Sequence, residues 1–91
     1  MIKLGLTVPG FDQDHLRAHG HSLNNREELA KSGVCGCFCC LATYPPSEIV
    51  EWIDEGQTAI CPKCPVDSVI GSASGYPITV EFLQRMHDYW F

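Results

Sequence analysis

The 91-residue chain lacks long apolar runs and has few basic residues. Its apolar runs are far shorter than the roughly 20 residues that a membrane-spanning helix requires, so we expect no transmembrane segment. Lys and Arg number 6 against 11 Asp and Glu, which gives a formal net charge of −5 at pH 7. Because proteins bind phosphate and anionic lipid through Lys and Arg, this balance argues against nucleic acid as a direct partner and against an anionic membrane surface.

The chain also lacks repeats, low-complexity tracts and any linker long enough to divide it, so we expect a single domain over residues 1–91. A hydrophobic fraction of 45% excludes a disordered tail. A domain of this size buries only a modest core and is often supported by disulfides or by a metal ion. The 6 Cys residues are candidates for either role.

The N-terminal residues help to decide between disulfides and a metal. Residues 1–10 alternate apolar and polar side chains, which predicts a short strand. They contain no apolar segment as long as that of a secretory signal before Pro9 and Gly10 interrupt the pattern. We therefore expect a reducing, cytoplasmic environment, where cysteine pairs are typical of metal sites, and three disulfides are the alternative.

Two C-x-x-C pairs, at Cys37 and Cys40 and at Cys61 and Cys64, have twenty residues between them. A C-x-x-C turn directs both of its sulfurs at one centre, and two such turns complete a tetrahedral shell of four sulfurs that suits Zn²⁺. The spacing therefore predicts one structural zinc ion per chain, with these four cysteines as its ligands.

The other two cysteines leave alternatives open. Cys35 can take the place of one ligand, and His21 would give a site of three cysteines and one histidine. Cys39 lies inside the first turn, where we expect its side chain to point away from the metal. Four cysteines can also hold an iron–sulfur cluster, although two compact pairs favour zinc.

The histidines do not form a known catalytic motif. His15 and His19 are four residues apart, a spacing that places both on one face of a helix. Leu16 follows His15 where a zinc protease with the H-E-x-x-H motif has Glu, so we do not expect a metalloprotease. We expect His15, His19 and His21 to be solvated surface residues and His87 to pack at the edge of the core.

Helix signals occur in three segments, residues 26–32, 48–55 and 79–90. Asn25 and Glu28 have the spacing of a capping box at the start of the first segment. In the second, Ile49, Trp52 and Ile53 form one apolar stripe of an amphipathic helix.

The third helix is expected to begin after the capping residue Thr79 and to bury an aromatic-rich stripe, Phe82, Met86, Tyr89 and Trp90. Strands are expected at residues 57–60 and 66–70, on either side of the second cysteine pair, which would then form a hairpin knuckle facing the first. The expected fold class is α+β: a small zinc-stabilised domain with a treble-clef or ribbon-like knuckle and about three short helices.

A series of distinct short blocks lies in order along most of the chain: His21-Ser22, Asn25 to Glu28, Cys35 to Phe38, Trp52 to Asp54, Ala59 to Cys64, Asp67 to Gly71, Ser74 to Thr79, Phe82-Leu83, Met86-His87 and Trp90-Phe91. Over residues 19–91 these blocks resemble a family of small bacterial cytoplasmic proteins whose activities are largely uncharacterised. The resemblance implies a cytoplasmic zinc-binding protein and little about activity. Pro65 stands where the family's knuckle usually has Gly, and Cys39 stands where an aromatic residue is expected; neither departure removes a predicted ligand.

The first functional hypothesis is a non-enzymatic zinc domain that binds another protein, because four cysteines leave no open coordination position and no nucleophile–base pair is evident. One version of it is a phage-encoded or host inhibitor that occupies the basic groove of a nucleic-acid-binding machine with its acidic surface. The alternative is an HNH-like, metal-dependent nuclease that uses His87 and Asp67, although the chain offers no clear magnesium-binding pair or cationic groove.

A third hypothesis places a small anionic ligand at the loop over residues 71–79, just before a helix N-terminus. Its candidate ligand groups are Ser72, Ser74, Tyr76 and Thr79. The alternative for this loop is that it packs Tyr76 and Pro77 against the core. The oligomeric state does not follow from the sequence.

Overall fold

The computed structural model describes residues 13–91, so the strand predicted within residues 1–10 lies outside the described residues. The described α-helices are α1, Asp14–Arg17; α2, Arg26–Ala30; and α3, Val80–Trp90. The strands are β1, Cys35–Cys37; β2, Thr43–Tyr44; β3, Glu51–Ile53; β4, Thr58–Ile60; and β5, Val69–Gly71. Three 3₁₀ turns, Ala18–Ser22, Pro46–Glu48 and Ser72–Ser74, complete the regular structure. The α+β fold class predicted from the sequence is confirmed, with three helices and antiparallel sheets.

Within residues 13–91 the strands form two small antiparallel sheets. The first has the order β2-β1-β5, and its register places Cys35 between Tyr44 and Gly71. The second is the hairpin of β3 and β4, in which Trp52 is opposite Ala59. The strand expected after the second cysteine pair does form, but as β5, and it pairs with β1 rather than with β4. The strands on either side of residues 61–64 therefore belong to different sheets.

The amphipathic helix predicted over residues 48–55 is wrong, because this segment forms a 3₁₀ turn and then strand β3. Asp54 and Glu55 have φ angles of 55° and 59°, and Gly56 follows with 86°. Three consecutive residues with left-handed φ angles cannot continue a right-handed helix, and they reverse the chain into β4 instead. The β-branched residues of this segment also favour a strand.

Helix α2 ends at Ala30, two residues earlier than the predicted limit of residue 32. Its expected capping box does not form, because the Asn25 side chain makes no capping hydrogen bond. The Asn25 amide instead donates to the carbonyl oxygens of His21 and Val69 and accepts the backbone N–H of Ala59. Because Val69 and Ala59 belong to different sheets, Asn25 joins the start of α2 to both of them.

Helix α3 begins where the sequence predicts, with the Thr79 hydroxyl accepting the backbone N–H of Phe82 at 3.2 Å. Phe82 and Met86 are buried as expected. The rest of the predicted core stripe is wrong, since Tyr89 and Trp90 are 57% and 39% exposed. They contact α1 instead, where the Trp90 indole N–H donates to the carbonyl oxygen of His15 and the Tyr89 ring packs against the His15 ring.

Two clusters of buried side chains make up the core of the described part of the chain. One lies around the cysteines and contains Leu29, Cys35, Cys37, Tyr44, Ile49, Ala59, Cys61 and Val69. The other lies between α3 and the first sheet and contains Ala18, Phe38, Ile70, Phe82, Leu83 and Met86. Within residues 13–91, no helix has the length and apolar character needed to cross a membrane.

Candidate metal centre

The structure brings together the four cysteines of the two C-x-x-C pairs. The sulfur atoms of Cys37, Cys40, Cys61 and Cys64 all lie within 4.8 Å of one another. The Cys37 and Cys64 sulfurs are 3.5 Å apart and those of Cys40 and Cys61 are 3.8 Å apart. A tetrahedral ion with metal–sulfur bonds of about 2.3 Å separates its ligand sulfurs by about 3.8 Å, so the cluster has the dimensions of such a site.

All six cysteines are free thiols, so the structure does not contain the three disulfides of the alternative prediction. A disulfide joins its sulfurs at about 2.05 Å, far less than the separations in the cluster. Four thiol groups in contact are a donor set for a soft or borderline metal ion, and they can hold one.

Two tight turns aim the sulfurs inward. Cys37 is the last residue of β1, and its carbonyl oxygen accepts the N–H of Leu41, which closes the turn that carries Cys40. Cys61 follows directly after β4, and its N–H donates to the carbonyl oxygen of Val66. Each cysteine pair thus lies in a tight turn at the end of a strand, and the ends of β1 and β4 lie next to each other at the cluster.

The two turns make equivalent contacts. The first cysteine of each pair is buried, with Cys37 0% and Cys61 1% exposed. Each of these sulfurs accepts a backbone N–H from two residues later at 3.3 Å, from Cys39 and Lys63 respectively. The second cysteine of each pair lies nearer to solvent, since Cys40 is exposed and Cys64 is partly exposed. The centre therefore has two sulfurs facing the core and two facing outward.

Side-chain hydroxyl groups approach both buried sulfurs. The Ser68 oxygen lies 3.0 Å from the sulfur of Cys37. The hydroxyl of Tyr44, a residue of β2, is buried in the same core cluster as Cys61. Neither residue was predicted as part of the site, because no spacing rule connects them with the cysteine pairs. They reach it through the pairing of β1 with β5 and β2.

Burial and neighbouring hydrogen-bond donors shift the pKa values of the clustered thiols. Burial raises the pKa of Cys37 to about 11, against the opposing effect of the Ser68 hydroxyl and nearby backbone N–H groups. Burial acts in the same direction on Cys61, but the neighbouring Tyr44 hydroxyl and the N–H groups of Lys63 and Cys64 outweigh it and lower the pKa to about 7. Burial and the adjacent Cys37 raise the pKa of Cys64. Four sulfurs at this distance lose their protons together only when a cation offsets their charge.

The alternative ligands predicted from the sequence lie elsewhere. Cys35 is buried in the core around the cysteines, and burial raises its pKa to about 11, as expected for a structural thiol. Cys39 is partly exposed and packs against the same core. His21 pairs through Nδ1 with the Glu28 carboxylate at 2.9 Å, and the group of potential ligands found within residues 13–91 contains only the four cysteines.

The other histidines make structural contacts. His87 lies at the edge of the core, where its Nδ1 is 3.2 Å from the carbonyl oxygen of Phe38 and its ring stacks on Phe91. His19 packs against Trp90, with ring centroids 3.9 Å apart. His15 Nδ1 lies 3.0 Å from the Arg85 guanidinium.

The loop proposed to bind a small anion uses its polar groups internally. The Ser72 hydroxyl accepts the N–H of Gly33 at 2.9 Å, and the Ser74 hydroxyl donates to the carbonyl oxygen of Gly71 at 2.6 Å. Thr79 caps α3, and Tyr76 stacks on Phe82. These contacts agree with the packing alternative for this loop.

Comparison of the chain with family models, curated proteins and solved structures found no match. The interpretation of the site therefore depends on its own geometry.

Proposed function

We propose that this chain is a structural zinc-binding domain that serves as a protein-interaction module. The observation that supports it is the group of four cysteine sulfurs within 4.8 Å of one another. Four protein sulfurs fill the tetrahedral shell of Zn²⁺ and leave no position for water or substrate, which is the mark of a structural rather than a catalytic site. The ligands lie at the ends of, or in the turns that follow, one strand of each sheet, so the ion would hold the two sheets together and contribute folding free energy.

Metal analysis of the purified chain tests the zinc assignment. We expect one zinc ion per chain in the wild type and a loss of zinc with unfolding in Cys61→Ser. Cys39→Ser is the matched control, because it removes a neighbouring thiol that lies outside the cluster, and it should keep the full zinc content. Iron with visible absorption in place of zinc, or full zinc content in Cys61→Ser, would contradict the assignment.

The outer edge of strand β3 supports the interaction role. The N–H of Ala59 donates to Asn25, away from β3, so Ala59 and Trp52 form a pair without mutual hydrogen bonds. The N–H and carbonyl oxygen of Trp52 therefore point away from β4, and no described residue of this chain bonds to them. Along β4, in contrast, the Ala59 N–H donates to the Asn25 side chain and the Thr58 hydroxyl accepts the N–H of Asn24. Just before the strand, the carbonyl oxygen of Gln57 accepts the N–H of Arg26. An open strand edge is a template for the addition of an extended peptide.

Side chains beside this edge indicate the kind of partner. Val50, just before β3, is 80% exposed, and Ile53, its last residue, is 42% exposed. Exposed carboxylates surround them, at Glu51, Asp54 and Glu55. Two cations of this chain already have partners, since Lys63 pairs with Glu48 and the Arg26 guanidinium lies over the Trp52 ring. The partner we propose is an extended segment that alternates apolar with Lys or Arg residues; a second copy of this acidic chain would meet like charge.

Titration with two capped synthetic peptides, one alternating Lys and Val and one alternating Glu and Val, tests this surface. We expect only the Lys peptide to bind, with amide chemical-shift changes concentrated at Trp52 and Ile53 and with affinity falling as salt is raised. Glu51→Lys should weaken binding, whereas Glu27→Lys on α2 is a charge-matched control that should not. Equal binding of both peptides, or equal effects of the two substitutions, would contradict the proposed surface while leaving the zinc assignment intact.

A further inference from the structure

The Tyr44 hydroxyl is an anomaly in the metal centre. Tyr44 is 3% exposed, and its oxygen is the one buried side-chain N or O atom within residues 13–91 that has no hydrogen-bond partner. Buried hydroxyl groups normally have a hydrogen-bond partner, because a hydroxyl that loses its bonds to water without gaining new ones costs free energy. An unpaired hydroxyl at such a position requires an explanation.

The surroundings of this hydroxyl point to the cysteine cluster. Tyr44 packs in the same core cluster as Cys37 and Cys61. Cys37 and Cys61 are the first cysteines of the two C-x-x-C pairs, and both are as deeply buried as Tyr44. The unpartnered hydroxyl therefore belongs to the same buried cluster as the sulfurs on which thiolate charge develops when a metal binds.

The opposite half of the site shows what is missing. The sulfur of Cys37 has both a backbone N–H, from Cys39, and a hydroxyl, from Ser68 at 3.0 Å. The sulfur of Cys61 has the equivalent backbone N–H, from Lys63, but no hydroxyl of residues 13–91 is in hydrogen-bond geometry with it. Four thiolates around one Zn²⁺ carry a net charge of −2, and the two sulfurs that face the core cannot be solvated by water.

We propose that Tyr44 is a positioning residue of the metal centre, whose O–H donates a hydrogen bond to the sulfur of Cys61 when that sulfur is a metal-bound thiolate. Each buried ligand then receives one N–H and one O–H, with Ser68 and Tyr44 in equivalent roles. Such outer-shell donors fix the orientation of a ligand and offset its charge. This inference rests on the proposed metal site and adds a residue that determines how tightly the ion is held.

Cobalt(II) substitution provides a readout that a purely structural role would not change. A hydrogen bond lowers the energy of the sulfur lone pair, so its removal in Tyr44→Phe should move the sulfur-to-cobalt charge-transfer band to longer wavelength. In chelator competition the same variant should bind zinc about 10-fold more weakly, the lower end of the range for the loss of an outer-shell partner. Tyr76→Phe is the matched control, because Tyr76 stacks on Phe82 away from the cluster, and it should match the wild type in both measurements.

The outcomes separate this inference from the metal site itself. If the wild type binds cobalt and Tyr44→Phe has an identical spectrum and zinc affinity, the role of Tyr44 is wrong and the metal site stands. If the wild type binds neither metal, both fail. Should Tyr44→Phe not fold, cadmium-113 NMR of the wild type decides: coupling of the Tyr44 hydroxyl proton to the cadmium supports the hydrogen bond, and a hydroxyl proton that is uncoupled and exchanges freely with water overturns it.

Discussion

The hydroxyl of Ser68 lies 3.0 Å from the sulfur of Cys37, although 31 residues separate the two in sequence. Both residues are buried, and a backbone hydrogen bond from Phe38 N–H to the Ser68 carbonyl oxygen fixes their elements next to each other. As a thiolate, the Cys37 sulfur can only accept, so Ser68 is then the donor. The contact shows that the polar environment of the metal centre comes from the sheet as well as from the cysteine turns.

Ser68→Ala should therefore weaken metal binding. The substitution removes one of the two donors to a buried ligand and supplies no replacement, and we expect zinc affinity to fall about 10-fold. Chelator competition at fixed pH measures the change. Ser47→Ala, at an exposed position, is the control and should keep wild-type affinity. An affinity for Ser68→Ala equal to that of the control would mean that the contact does not act on the metal.

Asn25→Ala should strongly destabilise the fold. It would leave the buried N–H of Ala59 and carbonyl oxygen of Val69 without partners, at a cost of about 2–4 kcal/mol in the free energy of unfolding. Denaturant unfolding of the metal-loaded protein measures this loss. The neighbouring Asn24 is the control: it is exposed and has a φ angle of 48°, so Asn24→Gly keeps a suitable backbone and should be close to neutral. Similar losses for both variants would show that Asn25 does not connect the sheets.

Structural features whose geometry depends on a few adjacent residues could be predicted from the sequence. The two C-x-x-C turns and the Thr79 cap are of this kind, because a few adjacent residues determine each geometry. Tyr44 and Ser68 could not be predicted, since they reach the cysteines only through the pairing of β1 with β2 and β5. Strand pairing over such separations is not encoded in local periodicity.

Residues 48–55 show a different cause of error. Their apolar residues have the spacing of a helix, yet the same short run also suits a strand, and periodicity alone does not decide between the two. The left-handed turn at Asp54 and Glu55 ends the strand and so rules out a helix through this segment. Neither residue type predicts such a turn, because non-glycine residues seldom adopt positive φ angles.

Gly71→Ala should destabilise the protein because β5 passes close to α2 at this point. A methyl group at Gly71 would overlap the Ser32 hydroxyl and lie 2.7 Å from a methyl carbon of Leu29. Ser32 cannot move freely, as its hydroxyl accepts the N–H of Ala73 and donates to the carbonyl oxygen of Glu28. We expect a loss of about 1–3 kcal/mol in the free energy of unfolding, typical of overpacking. Gly33→Ala, where a methyl group meets open space, should differ little from the wild type in the same measurement.

Glu55→Gly should stabilise the protein, contrary to the usual effect of glycine. Glu55 has a φ angle of 59°, a conformation that costs a side-chain-bearing residue roughly 1–2 kcal/mol and glycine almost nothing. The greater freedom of glycine in the unfolded chain offsets part of this gain, which leaves about 0.5–1 kcal/mol in the free energy of unfolding. Glu51→Gly removes the same charge four residues earlier, in the extended conformation of β3, and should lower stability because it brings only the entropic cost. Denaturant unfolding of the two variants should therefore show opposite signs, and a loss in both would mean that the turn after β3 stores no strain at Glu55.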